Sequence, residues 1–214
     1  MRIKAVIFDL DGVIVSTDEY HYQAWKSIAD KENIEFNRSI NNELRGVSRA
    51  ESLEIILEKA NKEYTQDEKA ILLEEKNDIY RSLLANLSSS EILEGVNEVI
   101  DYLKSNNIKV AIGSSSKNTS LILEKIGLSN IFDEIADGTM ITKSKPNPEV
   151  FILAANKLGI DPKECLVVED AEAGVEAALA GNMIVAAVGD AIKSNKATYN
   201  LNKLIKLTEI VNNN

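Results

Sequence analysis

An apolar run at residues 3–8 ends in Asp9-Leu10-Asp11-Gly12, within the first dozen residues of the chain. A continuous Ile/Val/Phe run closed at once by glycine is the pattern of a parallel strand covered on both faces. Open sheets built from such strands bind ligands at the carboxyl ends of the strands. Residues two apart on a strand point the same way, so the carboxylates of Asp9 and Asp11 face one small site. There they repel each other unless a cation or a proton separates them. The pair demands a covered α/β sheet and places metal or acid/base chemistry at the mouth of its first strand.

Composition narrows the partners. A chain of 214 residues with 44% hydrophobic content is long enough to bury a real core. Its formal net charge of -10 speaks against nucleic acid or an anionic membrane as partner, because both need a basic face. Any phosphate must therefore be met by a local positive site. The single cysteine, Cys165, begins an apolar strand pattern and is expected to be buried and structural, with no disulfide framework. The first residues lead into the strand without a signal-peptide pattern, and no apolar stretch approaches the roughly 18 residues of a spanning helix. A cytoplasmic protein without a membrane partner is expected, and a monomer.

After Gly12 the pattern changes. From residue 19 to about 86 there is no proline and one glycine, Gly46, while apolar residues recur at helical spacing: Ala24, Trp25 and Ile28; Leu53, Ile56 and Leu57; Ile71, Leu72, Ile79 and Leu83. Ser48-Arg49-Ala50-Glu51 and Thr65-Gln66-Asp67-Glu68 read as capping boxes, predicting helix starts near 49 and 66. Residues 18–87 are thus an inserted all-helical cap domain, with Ser16-Thr17-Asp18 and Ser88-Ser89-Ser90 as the two strands of a hinge. The remainder, 1–17 and 88–214, alternates helices (96–106, about 118–126, 148–158, 173–180) with strands (108–112, 131–136, 166–168, 184–188). That alternation predicts an α/β core, a mostly parallel sheet with helices on both sides.

Polar groups recur where core strands should end: Asp9 and Asp11, then Ser114, then Glu169-Asp170. Lys145 precedes Pro146, which disfavours helix at the lysine and leaves it on an extended loop before the helix at 148. Oxygen ligands from Asp9, the backbone carbonyl of Asp11, Asp170 and Glu169 would suit Mg²⁺, and no Cys/His cluster suits zinc. A metal, a lysine and a hydroxyl around a carboxylate fit phosphoryl transfer, which needs in-line positioning and cancellation of charge.

Phe8-Asp9-Leu10-Asp11-Gly12-Val13, Ser114, Lys145 and Glu169-Asp170 resemble, in order, the four motifs of the haloacid dehalogenase superfamily of aspartate-nucleophile phosphotransferases. The resemblance implies a Rossmann-like core. Asp9 would be the nucleophile that forms an aspartyl-phosphate and Asp11 the general acid/base. Ser114 and Lys145 would hold the phosphoryl oxygens, and Mg²⁺ would bridge nucleophile and phosphate. Thr17 to His21, Trp25, Leu44 to Arg49, Lys76-Asn77-Asp78 and Ser114 to Asn118 further resemble the β-phosphoglucomutase family. That implies a second phosphate held by Arg49 with Ser116, Lys117 and Asn118. It also implies substrate contacts at Trp25, Gly46, Val47, Ser48 and Ser115, and cap closure relayed to Asp11 through Thr17, His21 and Lys76. The substrates implied are β-glucose 1-phosphate, glucose 1,6-bisphosphate and glucose 6-phosphate.

Plainer readings stand beside these. Asp-Gly is a common turn signal, Ser116 can cap the following helix, and Lys76 lies in a charged run whose default is a solvated helix face. Trp25 sits at helical spacing with Ile28 and is expected to serve the cap core. Arg49 at a first helical position opposes the helix dipole, which argues for a functional reason. Ala171 stands where the mutases often have serine. A sugar-phosphate phosphatase of the same fold is the nearest rival. A phospho-accepting receiver domain is a more distant one, since receivers lack a helical cap.

Overall fold

The computed structural model describes residues 2–45 and 47–212. Strand β1 (Ala5–Phe8) is followed by four helices, α1 (Asp18–Lys31), α2 (Arg38–Glu43), α3 (Arg49–Leu57) and α4 (Gln66–Leu83). The chain then alternates: α5 (Val96–Ser105), β2 (Lys109–Gly113), α6 (Thr119–Lys125), β3 (Glu134–Ala136), α7 (Glu149–Leu158), β4 (Cys165–Glu169), α8 (Glu172–Ala180), β5 (Ile184–Ala187), β6 (Tyr199–Asn200) and α9 (Leu207–Asn212). The described residues form a six-stranded sheet in the order β3-β2-β1-β4-β5-β6, with every pairing parallel. The expected α/β sheet is present.

Alternation along the strands explains the layers. Val6, Phe8, Val110, Ile112, Leu166 and Val168 pack on one face with Val96, Val99 and Leu103 of α5. Ala5, Ile7, Ala111, Cys165 and Val167 pack on the other face with Phe151 and Ala154 of α7 and Val175 of α8. Strands buried on both faces need continuous apolar sequence, which is what these segments carry. Cys165 is fully buried, as expected.

The register positions the site. Phe8 lies opposite Ile112 of β2 and Val168 of β4, so Asp9 comes level with Gly113 and Glu169. From β1 the chain builds β2 and β3 to one side and β4 to β6 to the other. This is the switch point at which a parallel sheet opens a crevice.

Helices α3 and α4 begin at the expected capping boxes, Ser48 with Glu51 and Thr65 with Glu68. The inserted helices share an apolar cluster that includes Trp25, Ile28, Phe36, Leu53, Ile56 and Leu72. Three elements were not foreseen: α2, β6 and α9. Helix α2 is six residues, three of them Ser or Asn, held by the Asn37 side chain, which accepts from the N–H of Ser39 at 3.0 Å and of Ile40 at 3.1 Å. Strand β6 is two residues and carries no period. The chain passes between sheet and insert where Val15 bridges antiparallel to Ile92, with Ser16 N–H donating to the Glu91 carbonyl at 3.3 Å. Ser88 forms its own capping box with Glu91 over a 3₁₀ turn, just before this bridge. No helix among the described residues is long and apolar enough to cross a membrane.

Candidate active site

At the end of β1, Asp9 meets Lys145. The lysine Nζ lies 2.5 Å from Asp9 Oδ1 and 2.9 Å from Glu169 Oε1, all three residues being buried. Lys145 arrives on the loop before α7 through a cis Lys145–Pro146 peptide and sits 4.6 Å from the centre of the Phe151 ring. Burial alone would drive its charge off. The carboxylates of Asp9 and Glu169 outweigh burial and hold the lysine above its ordinary range. Glu169 also accepts from the backbone N–H of Asp170 at 2.7 Å and of Ala171 at 3.3 Å, which ties the loop after β4 to the lysine.

One carboxylate oxygen from each of Asp9, Glu169 and Asp170 lies within 4.8 Å of the others. Burial, then repulsion from Glu169 and Asp9, pushes Asp170 above the usual carboxylate range, and burial pushes Glu169 up, with Lys145 offsetting part of this and Asp9 adding to it. Three hard oxygen donors that repel one another fit a small divalent cation, and the cluster has no soft ligand. Asp9 and Asp170 line the crevice, whereas Glu169 is turned towards Lys145 and the backbone. The Asp11 carboxylate lies outside the cluster.

Two glycines make room for this arrangement. A Cβ on Gly174 would lie 1.7 Å from Glu169 Oε1, and one on Gly12 would lie 2.1 Å from Asp170 Oδ2. Gly12 also has φ +83°.

After β2, Ser114 Oγ accepts from Ser116 N–H at 3.1 Å, and Ser116 Oγ accepts from Asn118 N–H at 3.2 Å. Asn118, not Ser116, occupies the N-cap position of α6, so the serine caps only through this turn. Lys117 is exposed beside it.

The insert supplies the other wall. Thr17, 1% exposed at the start of α1, donates its hydroxyl to Asp11 Oδ1. Burial, then Asp9, pushes Asp11 up to about 7, and the Thr17 hydrogen bond offsets part of this. Lys76 is 2% exposed on α4, not a solvated residue. Its Nζ lies 2.9 Å from His21 Nδ1 and within 5 Å of the Trp25 and Tyr80 rings, at 4.9 and 4.6 Å. Burial, then Arg49, brings Lys76 down to about 7, and burial with Lys76 and Arg49 keeps His21 neutral. With the lysine donating, His21 is the tautomer protonated on Nε2. Arg49 opens α3 as expected and donates to the Leu73 carbonyl at 3.2 Å.

Sheet and insert enclose a cavity of about 510 Å³, in the usual range for a small-molecule site. Asp9, Asp11, His21, Trp25, Val47, Ser48, Arg49, Lys76, Ser114, Ser115, Ser116, Lys117, Asn118, Lys145 and Asp170 all line it. Thr17 and Glu169 lie behind the wall, each holding a residue that faces the cavity. Gly46 lies outside the described residues. Trp25 is packed in the apolar cluster of the insert, as expected, and also lines the cavity.

Sequence reasoning missed Tyr80, whose ring lies 4.2 Å from that of His21 at a tilt of 30°, and Gly174, whose helical setting hid its contact with Glu169. It also missed Asp190, which accepts from Arg45 at 3.2 Å. Nothing local in the sequence signals a contact between residues that far apart. Among the described residues, the buried polar side-chain atoms without a hydrogen-bond partner are Arg45 Nε, Tyr80 Oη and Ser115 Oγ. All three belong to residues lining this cavity. Such atoms call for polar partners.

The model of the haloacid dehalogenase-like hydrolases matches residues 3–182. The chain belongs to this family. Within the superfamily it is 43% identical, over 87% of its own length and 84% of the other, to the β-phosphoglucomutase of Bacillus subtilis. It superposes on the crystal structure of β-phosphoglucomutase from Clostridium difficile with a TM-score of 0.91 and 40% identity, covering 99% and 98% of the two chains. It is also 29% identical to a phosphorylated carbohydrates phosphatase of Thermotoga maritima, over 98% and 97% of the two. This is a phosphotransfer enzyme of the superfamily, similar to β-phosphoglucomutases across both cap and core.

Proposed function

We propose that the chain interconverts β-glucose 1-phosphate and glucose 6-phosphate through phospho-Asp9 and glucose 1,6-bisphosphate, as a cytoplasmic monomer. Residues 1–17 and 88–214 act as the core and 18–87 as the moving cap. The observation that carries this reading is a second set of cations in the cavity. Lys145 is engaged by Asp9 and Glu169, while Arg49 from the insert and Lys117 from the core line the same cavity with no carboxylate partner within salt-bridge distance among the described residues. A bisphosphate that must bind in two orientations needs such a second site, and hydrolysis of a monophosphate does not.

Asp9 Oδ attacks phosphorus while the bond from phosphorus to the sugar oxygen breaks, giving phospho-Asp9. In the first half-reaction the 6-hydroxyl of β-glucose 1-phosphate takes that phosphoryl group and yields its proton to Asp11. In the second, the 1-phosphoryl group passes to Asp9 and Asp11 returns the proton to the leaving oxygen. Asp11 held by Thr17 is kept from water until closure reorients it. Asp9, Asp170 and the backbone carbonyl of Asp11 would hold Mg²⁺, which when bound supplies cancellation of charge on the transferring phosphoryl group.

The test assays glucose 6-phosphate and free phosphate side by side, from β-glucose 1-phosphate with a trace of bisphosphate. Glucose 6-phosphate should dominate in the wild type. Arg49→Ala should reduce its formation about tenfold or more while sparing phosphate release. Equal losses in both, or phosphate as the main wild-type product, would make the chain a phosphatase like its Thermotoga relative.

A further inference from the structure

Asn118 joins the two walls of the cavity in a way that neither the motif resemblance nor the mechanism above requires. The residue is 7% exposed, and its side-chain amide is held at both ends by α4. Its Oδ1 accepts from Arg81 Nη1 at 3.1 Å, and its Nδ2 donates to Asn77 Oδ1 at 3.0 Å. Asn77 and Arg81 are four residues apart on one helix, hence on one face, and so they close on the amide as a pair. Arginine can only donate, so the contact settles which way the amide faces: the oxygen meets Arg81 and the NH₂ group is turned to Asn77. The amide keeps a second N–H, and Asn118 lines the cavity. Arg81 itself does not line the cavity and is exposed at its rim.

We infer that Arg81 is a positioning residue for the non-reacting phosphate: through Asn118 it makes docking of α4 on the core and presentation of an N–H donor to that phosphate a single event. The inference rests on the two-phosphate reading for its ligand, while the clasp itself rests on the two hydrogen bonds. With α4 withdrawn, the amide is free to rotate and loses its orientation. With α4 seated, the N–H donor is fixed beside Lys117 and the Ser114-to-Ser116 turn.

The test compares two phosphoryl donors to Asp9 in the full-length protein with Mg²⁺. Glucose 1,6-bisphosphate uses both phosphate positions, and acetyl phosphate uses the reacting one alone. Arg81→Ala should raise the half-saturating concentration of bisphosphate about tenfold and shift that of acetyl phosphate far less. Arg81→Lys, which keeps a donor, should recover part of the loss. In an Asn118→Ala background, Arg81→Ala should add less than about twofold, since a residue acting through Asn118 has nothing left to act on. Equal shifts for both donors, no recovery with lysine, or full addition on Asn118→Ala would each overturn the inference. Release of phosphate without any glucose 6-phosphate from the wild type would instead defeat the mutase reading, and the contrast between the two donors would still decide the role of Arg81.

Discussion

Replacing Gly174 with alanine should destabilise the chain, although helix propensity alone favours the change. Gly174 lies inside α8, where alanine is ordinarily better than glycine by about 1 kcal/mol. Here the added Cβ would stand 1.7 Å from Glu169 Oε1, 2.1 Å from its Cδ and 2.4 Å from its Cγ, so the carboxylate must leave. Glu169 is 1% exposed and has no solvent to move into. Its departure breaks three hydrogen bonds: those of the backbone N–H groups of Asp170 and Ala171, and one of the two that hold Lys145 Nζ, which keeps Asp9. At about 1 kcal/mol for each hydrogen bond lost, the loss is about 3 kcal/mol against a gain of about 1. The balance of about 2 kcal/mol corresponds to a melting temperature lower by roughly 4–8 °C for a chain of this size. Calorimetry of the two proteins measures it, and a magnesium titration of activity should show a higher metal requirement in the variant, because Lys145 and the Asp170 loop are both released. Gly127→Ala is the control. Its φ of +79° with nothing within 4 Å of the added Cβ leaves only backbone strain, about 1 kcal/mol. A Gly174→Ala protein that melts at or above the wild-type temperature would refute the argument, since propensity and the contact with Glu169 predict opposite signs.

Lys76 and Lys145 give two further predictions. Burial and Arg49 bring Lys76 from 10.5 down to about 7, so between those values the unfolded chain binds the extra proton and this residue's contribution to stability rises with pH. Over about pH 7 to pH 10 the stability of the wild type should rise relative to that of Lys76→Met, by up to about 1.4 kcal/mol per pH unit, and a difference that does not change with pH would show that Lys76 is not held near neutrality. Lys145→Met leaves Asp9 and Glu169 buried with their shared cation removed and should cost about 3–5 kcal/mol in denaturant unfolding near neutral pH. A loss below about 1 kcal/mol would mean that solvent, not Lys145, neutralises these carboxylates.

What could be read from the sequence divides along the range of the interactions. Asp9, Ser114 and Asp170 were legible because each terminates a β run, and parallel register then brings strand ends to one edge without further information. Ser48 and Thr65 were legible because a capping box is complete within four residues. Lys76 was harder: its neighbours Glu74 and Glu75 argue for a solvated face, and only its packing against Trp25, Tyr80 and His21 shows otherwise. Gly174 and the clasp on Asn118 were not legible. A glycine in a helix looks like a weak point until the carboxylate pressing on it is located, and Arg81 looks like any exposed helix arginine until α6 is placed beside it.

The two buried lysines show how one fold sets opposite tasks for one residue type. Lys145 meets two carboxylates and stays charged, so it is a permanent partner for Asp9 and for any oxyanion that joins it. Lys76 meets a neutral imidazole and two aromatic rings, with Arg49 near, and is brought close to losing its proton. The difference follows from what each wall is made of: β-strand ends deliver carboxylates, whereas the inserted helices deliver rings and cations.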